Sequence, residues 1–502
     1  MATKSKVERS PLYEGVKWKF GDEAERFPPD LVSWRPVHRM NEQSLAVCPV
    51  FPYHHMEWAM EDYWDRIERK SDWSYTIGPL TNEEAVLGIV GEPDVNGINF
   101  GTSCGFPMTN IDKRDLLHPM TEGAPLPKEV HDRIVEMESA FLAGNRVNSI
   151  FKLCMKDEPV SARKREIGKT RLFASCPVDF QLLFRKYFLP LIAEIQGNPI
   201  CWELAVGTNS RSRQWGDIVH HLKSTSDSEF RFMDGDFSAY DKRMSPDLIL
   251  RAFDLLIRMA ERRSYPPDAI QIMRGCAIEV AYPNVLVAGD LVVYPAMHVS
   301  GQPATVIVNS IINSLLMRAA WCGSGAYVLG QFDRHVSLIT YGDDNVQGVS
   351  DVARSLYNFK SIHDYLARFD IEFTPADKTS PSSAPFRKLS EVTFLKRTFV
   401  YWAHMNYWVA PLDKKSIIGP MMVWVRSEIP PDQHFVAAAL SARDEALAWG
   451  EEYFHYIVKG VLEIATPDIL RLLEHVKWDC FKYPNESGFH ALLRERYPQM
   501  FE

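Results

Sequence analysis

Residues 336–340 (Val-Ser-Leu-Ile-Thr) and 346–349 (Val-Gln-Gly-Val) are rich in apolar and β-branched positions, and Tyr341-Gly342-Asp343-Asp344-Asn345 separates them. The pattern predicts two strands joined by a tight hairpin. Side chains alternate across a strand, so Asp343 and Asp344 project differently and the tip can turn at least one carboxylate towards a metal. A strand is also predicted over 230–236, with Asp236 near its end and Asp241 in the connection beyond. Ser245-Pro246-Asp247 then opens a helix: serine as N-cap, proline in the first turn, apolar residues over 248–259. Residues 285–294 read as another hairpin. A loop, Ser300-Gly301-Gln302-Pro303, leads into an apolar helix over 304–320 in which Thr305, Asn309 and Asn313 recur every four residues. Buried amides need partners, so that polar stripe must face a ligand or a polar network.

Further helices are predicted over 128–144, 182–195 and 352–369. Residues 392–397 are expected to begin a second apolar hairpin with 399–402 and 407–409, after a loop at Ser380-Pro381-Ser382-Ser383. From Pro430 the pattern is helical, clearest over 435–449 and 454–464, as in a separate helical domain. The first hundred residues read as irregular, including the aromatic and histidine-rich stretch from His54 to Trp64.

Length and composition fit a globular protein with a large core. The chain has 502 residues, 46% hydrophobic and 24% charged, and the length prior suggests roughly three domains. No apolar run is expected to span a bilayer, and the polar residues 1–9 give no sign of a secretory signal. Eight cysteines without a C-x-x-C pair argue against a zinc ribbon or a disulfide scaffold and for reduced thiols in a cytosolic compartment. The net charge of −9 is unusual for a protein that binds nucleic acid, but phosphate is neutralised locally. Residues 152–171 carry seven basic and three acidic side chains, a net +4 suited to a phosphate channel.

Asp236 on one strand and Asp343 on a hairpin can together hold two Mg²⁺ ions, which activate a hydroxyl and stabilise a leaving oxygen in phosphoryl transfer, provided the fold brings them together. With that pair the order of motifs becomes recognisable, and the chain resembles the RNA-dependent RNA polymerases of picorna-like viruses over about residues 100–425. Thr102-Ser103-Cys104-Gly105-Phe106-Pro107 resembles the loop where template enters. Lys156-Asp157-Glu158 through Gly168-Lys169-Thr170-Arg171 resembles the basic finger motif over the triphosphate, and Asp236 with Asp241 the metal-binding strand. Ser300-Gly301, Thr305 and Asn309 resemble the ribose-reading loop and helix. Tyr341-Gly342-Asp343-Asp344 resembles the signature turn, Thr374-Pro375-Ala376-Asp377-Lys378 the lysine motif, and Phe394-Leu395-Lys396-Arg397 the primer-grip hairpin. Gln302-Pro303 is closer to insect picorna-like viruses, dicistroviruses or iflaviruses, than to mammalian picornaviruses.

The resemblance implies an α+β, closed right-hand polymerase with an antiparallel-sheet palm. Fingers would comprise 1–193 and an insertion at 242–295, the palm 194–241 and 296–399, and the thumb 400–502. It implies Asp236, Asp343 and Asp344 at the metal ions, with Mn²⁺ as an alternative to Mg²⁺. Lys378 would be the acid that protonates pyrophosphate, and Lys156, Lys164 and Arg171 would line the nucleotide channel. Asp241, Ser300, Gly301, Thr305 and Asn309 would bind the nucleotide and its ribose. Thr102, Ser103, Gly105, Pro107, Lys396 and Arg397 would contact template and primer. Expected partners are RNA, nucleoside triphosphates, a genome-linked viral peptide that primes through a tyrosine, and other replication proteins, in host cytoplasm at membrane-associated replication complexes. A reverse transcriptase is the nearest rival, opposed by Asp241 with Asn309. A silent RNA-binding scaffold is a second, opposed by the intact Asp236, Asp343 and Asp344.

Overall fold

In a computed structural model of the chain, residues 4–75, 77–226, 228–378, 384–476 and 486–502 are described. The expected loop at 380–383 and Cys480 lie outside them. Among the described residues, twelve strands form four sheets. Strand β1 (Val7–Arg9) pairs with β12 (Val423–Val425), from opposite ends of the chain. Strands β2 (Ile150–Met155), β3 (Leu172–Ser175), β5 (Asn284–Val287) and β6 (Asp290–Val293) form a second sheet in the order β3-β2-β5-β6. There β5 runs parallel to β2, so residues 284–293 return to the sheet that carries the basic segment.

The central sheet holds β4 (Phe232–Phe237), β7 (Val336–Tyr341), β8 (Asp344–Val349) and β9 (Phe373–Thr374), in the antiparallel order β7-β8-β4-β9. Tyr341 pairs with Asp344, which leaves Gly342-Asp343 as a two-residue turn. Gly342 has φ 62°, the left-handed conformation such a turn demands and glycine adopts without strain.

Behind the sheet lies the helix Thr305–Gly323, buried nearly all round. It is long and apolar enough to cross a membrane, contrary to the expectation from sequence, but 83% of its apolar window is buried inside the protein. It packs on the helix Tyr53–Lys70, whose inner face is Met56, Ala59, Met60, Tyr63 and Ile67. Between them, Arg318 donates to Glu203 at 2.7 Å and to Asp62 at 2.9 Å, and its guanidinium lies over the rings of Tyr63 and Phe332. Burial alone would raise the Glu203 carboxyl, but Arg318 and Arg66 outweigh it and hold it below its ordinary value. Asp62 is the reverse: burial raises it in spite of Arg318.

A second core gathers the C-terminal helices Pro431–Ala446, Glu451–Ile464 and Pro467–His475. The N-terminal helix Tyr13–Phe20 completes it through Tyr13 and Val16. The chain then crosses to the second sheet, where Phe27 bridges to Val160 and Thr170 donates to the Asp30 carbonyl.

Several expectations hold with small shifts. The helix opened by Ser245 spans Pro246–Arg262, with Ser245 Oγ accepting from the Leu248 N–H, and residues 128–144 and 182–195 give Lys128–Leu142 and Val178–Gly197. Others fail. Four helices lie in the first hundred residues, Tyr13–Phe20, Arg35–Ser44, Tyr53–Lys70 and Asn82–Leu87, where irregular chain was expected. The helix over 352–369 shortens to Phe359–Ala367, because Asn358 caps it and residues 351–357 turn instead. Residues 392–397 are no strand: Phe394 and Arg397 close a turn through Leu395 and Lys396 at positive φ, and the hairpin is β10 (Val400–Trp402) with β11 (Tyr407–Val409).

Candidate active site

The sheet register brings the predicted carboxylates together. Gly235 of β4 pairs with Asn345 of β8, so Asp236 lies beside the turn that carries Asp343 and Asp344. Asp344 is half-buried. Its Oδ2 accepts the Leu395 N–H at 2.7 Å, while Oδ1 is buried without a hydrogen-bond partner. Burial, with the like charges of Asp236 and Asp343, pushes its carboxyl up to about 8. Asp343 has accessible area at the tip but lies in a cleft, where surrounding protein removes much of the bulk water. That desolvation, and then Asp236, raise it to about 6 against the pull of Arg171. Among the described residues no three His, Cys, Asp or Glu side chains already stand as a closed metal cage. The donor set nevertheless suits a hard divalent cation: carboxylate oxygens that repel one another and one buried oxygen with no donor. Lys378 Nζ lies 2.9 Å from Asp236 Oδ2 and supplies the counter-charge.

The helix Thr305–Gly323 holds the turn from behind. Ser310 Oγ accepts the Gly342 N–H at 2.8 Å, Asn313 Nδ2 donates to the Gly342 carbonyl at 3.0 Å, and Asn345 Nδ2 donates to Asn313 Oδ1 at 3.0 Å. The polar stripe thus divides into a turn-holding part at Asn313, joined by Ser310, and a part that faces the preceding loop. Thr305 Oγ1 donates to the Gln302 carbonyl at 2.7 Å, so its hydroxyl ties the helix start to the preceding loop. Asn309 Oδ1 lies 2.5 Å from His298 Nδ1, and the Asp241 carboxylate meets Lys242 at 2.5 Å. Ser300 is half-buried. Gly301 bridges to Ser175 of β3, and a Cβ there would collide with the Ala174 carbonyl, so only glycine lets this loop lie against the second sheet.

Above the carboxylates, basic groups converge. Burial lowers the Lys164 ammonium, and the charges of Lys169, Lys396 and Lys378 lower it further. Burial, Lys378 and Arg39 do the same to Lys169. Four lysines therefore share one field, the condition for gathering a polyphosphate. Lys169, which the resemblance places in the basic finger motif without naming it among the channel residues, is a member of this field. Lys156 and Arg171 both meet Glu158, at 3.2 and 3.4 Å, on the rim of this region.

In the loop at 102–107, Thr102 Oγ1 accepts from Lys113 Nζ at 2.9 Å and Ser103 Oγ from the Gly105 N–H at 3.2 Å. Gly105 has φ 77° and lies against the Cys176 backbone, and a cis peptide precedes Pro107. Thr102 and Ser103 thus bind their own loop and shape it. Arg397 is expected at the primer. Its guanidinium turns inward, donating to Glu445 at 2.8 Å and to the Ala410 carbonyl at 2.8 Å, and so fastens the turn to the C-terminal helices. Lys396 beside it is exposed and belongs to the lysine field.

An antiparallel sheet with carboxylates at a hairpin tip, set between a basic second sheet and a helical third unit, is the architecture of a right-hand polymerase. The Sicinivirus 3Dpol RNA-dependent RNA polymerase shares this fold, with a TM-score of 0.76 and 18% identity over 99% of this chain and 97% of that one. The chain belongs to the viral RNA-dependent RNA polymerase family, whose model matches residues 79–465. It is 28% identical over 414 residues to the genome polyprotein of Deformed wing virus and 28% over 415 residues to the replicase polyprotein of Drosophila C virus. It is 30% identical over 423 residues to the RNA1 polyprotein of Cherry rasp leaf virus. These matches cover 78–79% of this chain and 14–23% of the polyproteins, so the chain spans under a quarter of their length. Relatives from insect viruses agree with the resemblance drawn from the motifs.

Proposed function

We propose that the chain copies RNA into RNA by nucleotidyl transfer at Asp236 and Asp343. One observation carries the reading: Lys378 Nζ lies 2.9 Å from Asp236 Oδ2, and Lys164 and Lys169 share the field of Lys378. Divalent ions serve this family generally, and two Mg²⁺ (or Mn²⁺) held by Asp236 and Asp343, with Asp344 beside them, would activate the primer hydroxyl and stabilise developing charge. The lysines neutralise the triphosphate and orient it. As the primer 3′-oxygen bonds to the α-phosphorus, the bond from that phosphorus to pyrophosphate breaks. The hydroxyl proton passes to solvent, and Lys378 gives a proton to the departing pyrophosphate. Asp241, Asn309 and Ser300 read the ribose, since a 2′-OH both donates and accepts.

In this reading residues 1–193 and 242–295 are fingers, 194–241 and 296–399 palm, and 400–502 thumb. The pairing of β5 with β2 supports joining 242–295 to the first segment. Priming by a genome-linked peptide and work at membrane-associated complexes in host cytoplasm, alongside other replication proteins, belong to the same proposal. Primer extension on poly(A) with Mg²⁺ tests its core. RNA from UTP supports it, product from dTTP alone marks a reverse transcriptase, and no product at all leaves a scaffold.

A further inference from the structure

The loop before the helix Thr305–Gly323 contains a chain of polar contacts whose direction can be worked out from its fixed end. The Ala304 N–H donates to Gln302 Oε1 at 2.7 Å. A backbone N–H can only donate, so Gln302 Oε1 is the acceptor and Nε2 is the end left to meet His298 Nε2 at 3.1 Å. An amide nitrogen can only donate, so His298 Nε2 carries no proton and the ring proton sits on Nδ1. His298 Nδ1 then donates to the Asn309 atom 2.5 Å away, which must be Oδ1. The orientation of the Asn309 amide is thus set by a backbone N–H three groups away.

We propose that His298 and Gln302 are positioning residues for sugar selection, holding the Asn309 carbonyl inward so that its Nδ2 is the group offered to the incoming 2′-OH. This rests on the reading of the site as one that incorporates ribonucleotides. His298 is fully buried and Gln302 nearly so, and burial keeps the imidazole down at about 4, hence neutral with a single N–H. The same residue holds the other half of the sugar reader, because the His298 backbone N–H donates to the Asp241 carbonyl at 2.8 Å. The Tyr240 hydroxyl donates to the Asn309 backbone carbonyl at 2.9 Å and so fixes the main chain on which that amide sits. Direction matters chemically. A 2′-hydroxyl that donates to the Asp241 carboxylate still has lone pairs for a donor to meet, and a flipped Asn309 would offer it a second acceptor instead.

The test compares UTP with 2′-deoxy-UTP on a primed poly(A) template, measuring kcat and KM for each with the full chain. Gln302→Leu removes the donor to His298, and His298→Leu removes the relay. Each should cut the preference for UTP about tenfold, the worth of one well-placed hydrogen bond, through a higher KM for UTP with 2′-deoxy-UTP nearly unchanged. His298→Asn keeps an N–H directed at Asn309 and should retain most of the preference. Asn309→Ala should add little on top of His298→Leu, since both remove the same contact. Equal losses for both nucleotides, or parental preference in folded Gln302→Leu, would overturn the proposal. If His298→Leu does not fold, Gln302→Leu and ¹⁵N-histidine NMR decide. The His298 signal, assigned by its loss in His298→Asn, should be that of the Nδ1–H tautomer, and an Nε2–H signal refutes the relay. That spectrum needs no activity, so a parent chain that makes no RNA would count against the function proposed above without deciding the relay.

Discussion

Asp234 and Arg387 form a buried ion pair on β4, two residues from Asp236. The Asp234 carboxylate also accepts the Ala376 N–H at 3.3 Å and the Thr393 N–H at 2.6 Å. The segment that carries Lys378 and the turn that carries Lys396 are therefore anchored to one side chain on the Asp236 strand. Asp234→Ala takes this partner from a half-buried guanidinium that keeps Asp377 at 3.1 Å, and should cost about 1–3 kcal/mol of stability. Single-nucleotide addition should slow as well, because both lysines lose their anchor. Denaturant unfolding and rapid-quench incorporation measure the two effects, and a normal rate in the folded variant would separate the anchor from the chemistry.

The raised carboxyls make stability depend on pH when divalent ions are removed. Asp343 and Asp344 titrate higher in the folded chain, at about 6 and about 8, than in the unfolded one. Their contribution is complete below about pH 4 and is lost as pH rises through those values, by at most about 1.4 kcal/mol per pH unit for each group. In EDTA, Asp344→Asn should be more stable than the parent, with a gain that grows from pH 4 to 8. Asp343→Asn should lower turnover by orders of magnitude while leaving RNA binding mostly intact. Thermal melts across that range check the first statement and primer extension the second.

Lys378 touches Asp236 yet remains largely exposed, with 66% of its side-chain surface free, so it can leave its partner for an arriving phosphate. Arginine keeps the charge but holds its proton too tightly to act as an acid, whereas histidine can donate near neutral pH. Lys378→Arg should slow incorporation about 10²-fold or more. Lys378→His should be slowed less at pH values where its imidazole is protonated. Rates for the arginine variant equal to the parent would reduce the residue to a fixed positive charge.

Arg318 offers a test of the core remote from nucleotide. Replacing it with leucine takes its cation from buried Asp62 and leaves Glu203 to Arg66 at 3.1 Å, and the expected loss is about 3–5 kcal/mol. Arg318→Leu with Glu203→Gln should lose less than the sum of the two single changes, since they share one interaction. Chemical denaturation of the four proteins gives the comparison.

Features built from local rules were legible in the sequence. The hairpin at 336–349 carries alternation and its own turn residues, and Ser245-Pro246 marks a helix start through backbone donors that need a cap. The helix Tyr53–Lys70 was just as periodic, at Met56, Ala59, Met60, Tyr63 and Ile67. Its tryptophans and histidines between those positions hid the pattern, because aromatic residues at the edge of a helix face look like a second apolar side. Contacts between distant segments had no such signal. Nothing near Arg397 indicates that Glu445 will take its charge, and nothing near His298 fixes its tautomer. Asp234 and Asp236 are two residues apart, yet one is closed by Arg387 and the other opens to the cleft, a difference made by residues some 140 to 160 positions away.

The pairing of β1 with β12 has a topological consequence. The central sheet and the covalent chain connect the basic sheet to the C-terminal helices on one side, and residues 4–31 connect them again on the other, through Ser5 to Asp157, Phe27 to Val160 and Tyr13 in the second core. The molecule is a band closed on itself. On the function proposed above, with template passing through the band, RNA would be threaded end first, as through the eye of a needle, so a covalently closed poly(A) circle should be copied far more slowly than the same length of linear poly(A). Loosening the band by replacing Tyr13 and Val16 with alanine should narrow that difference.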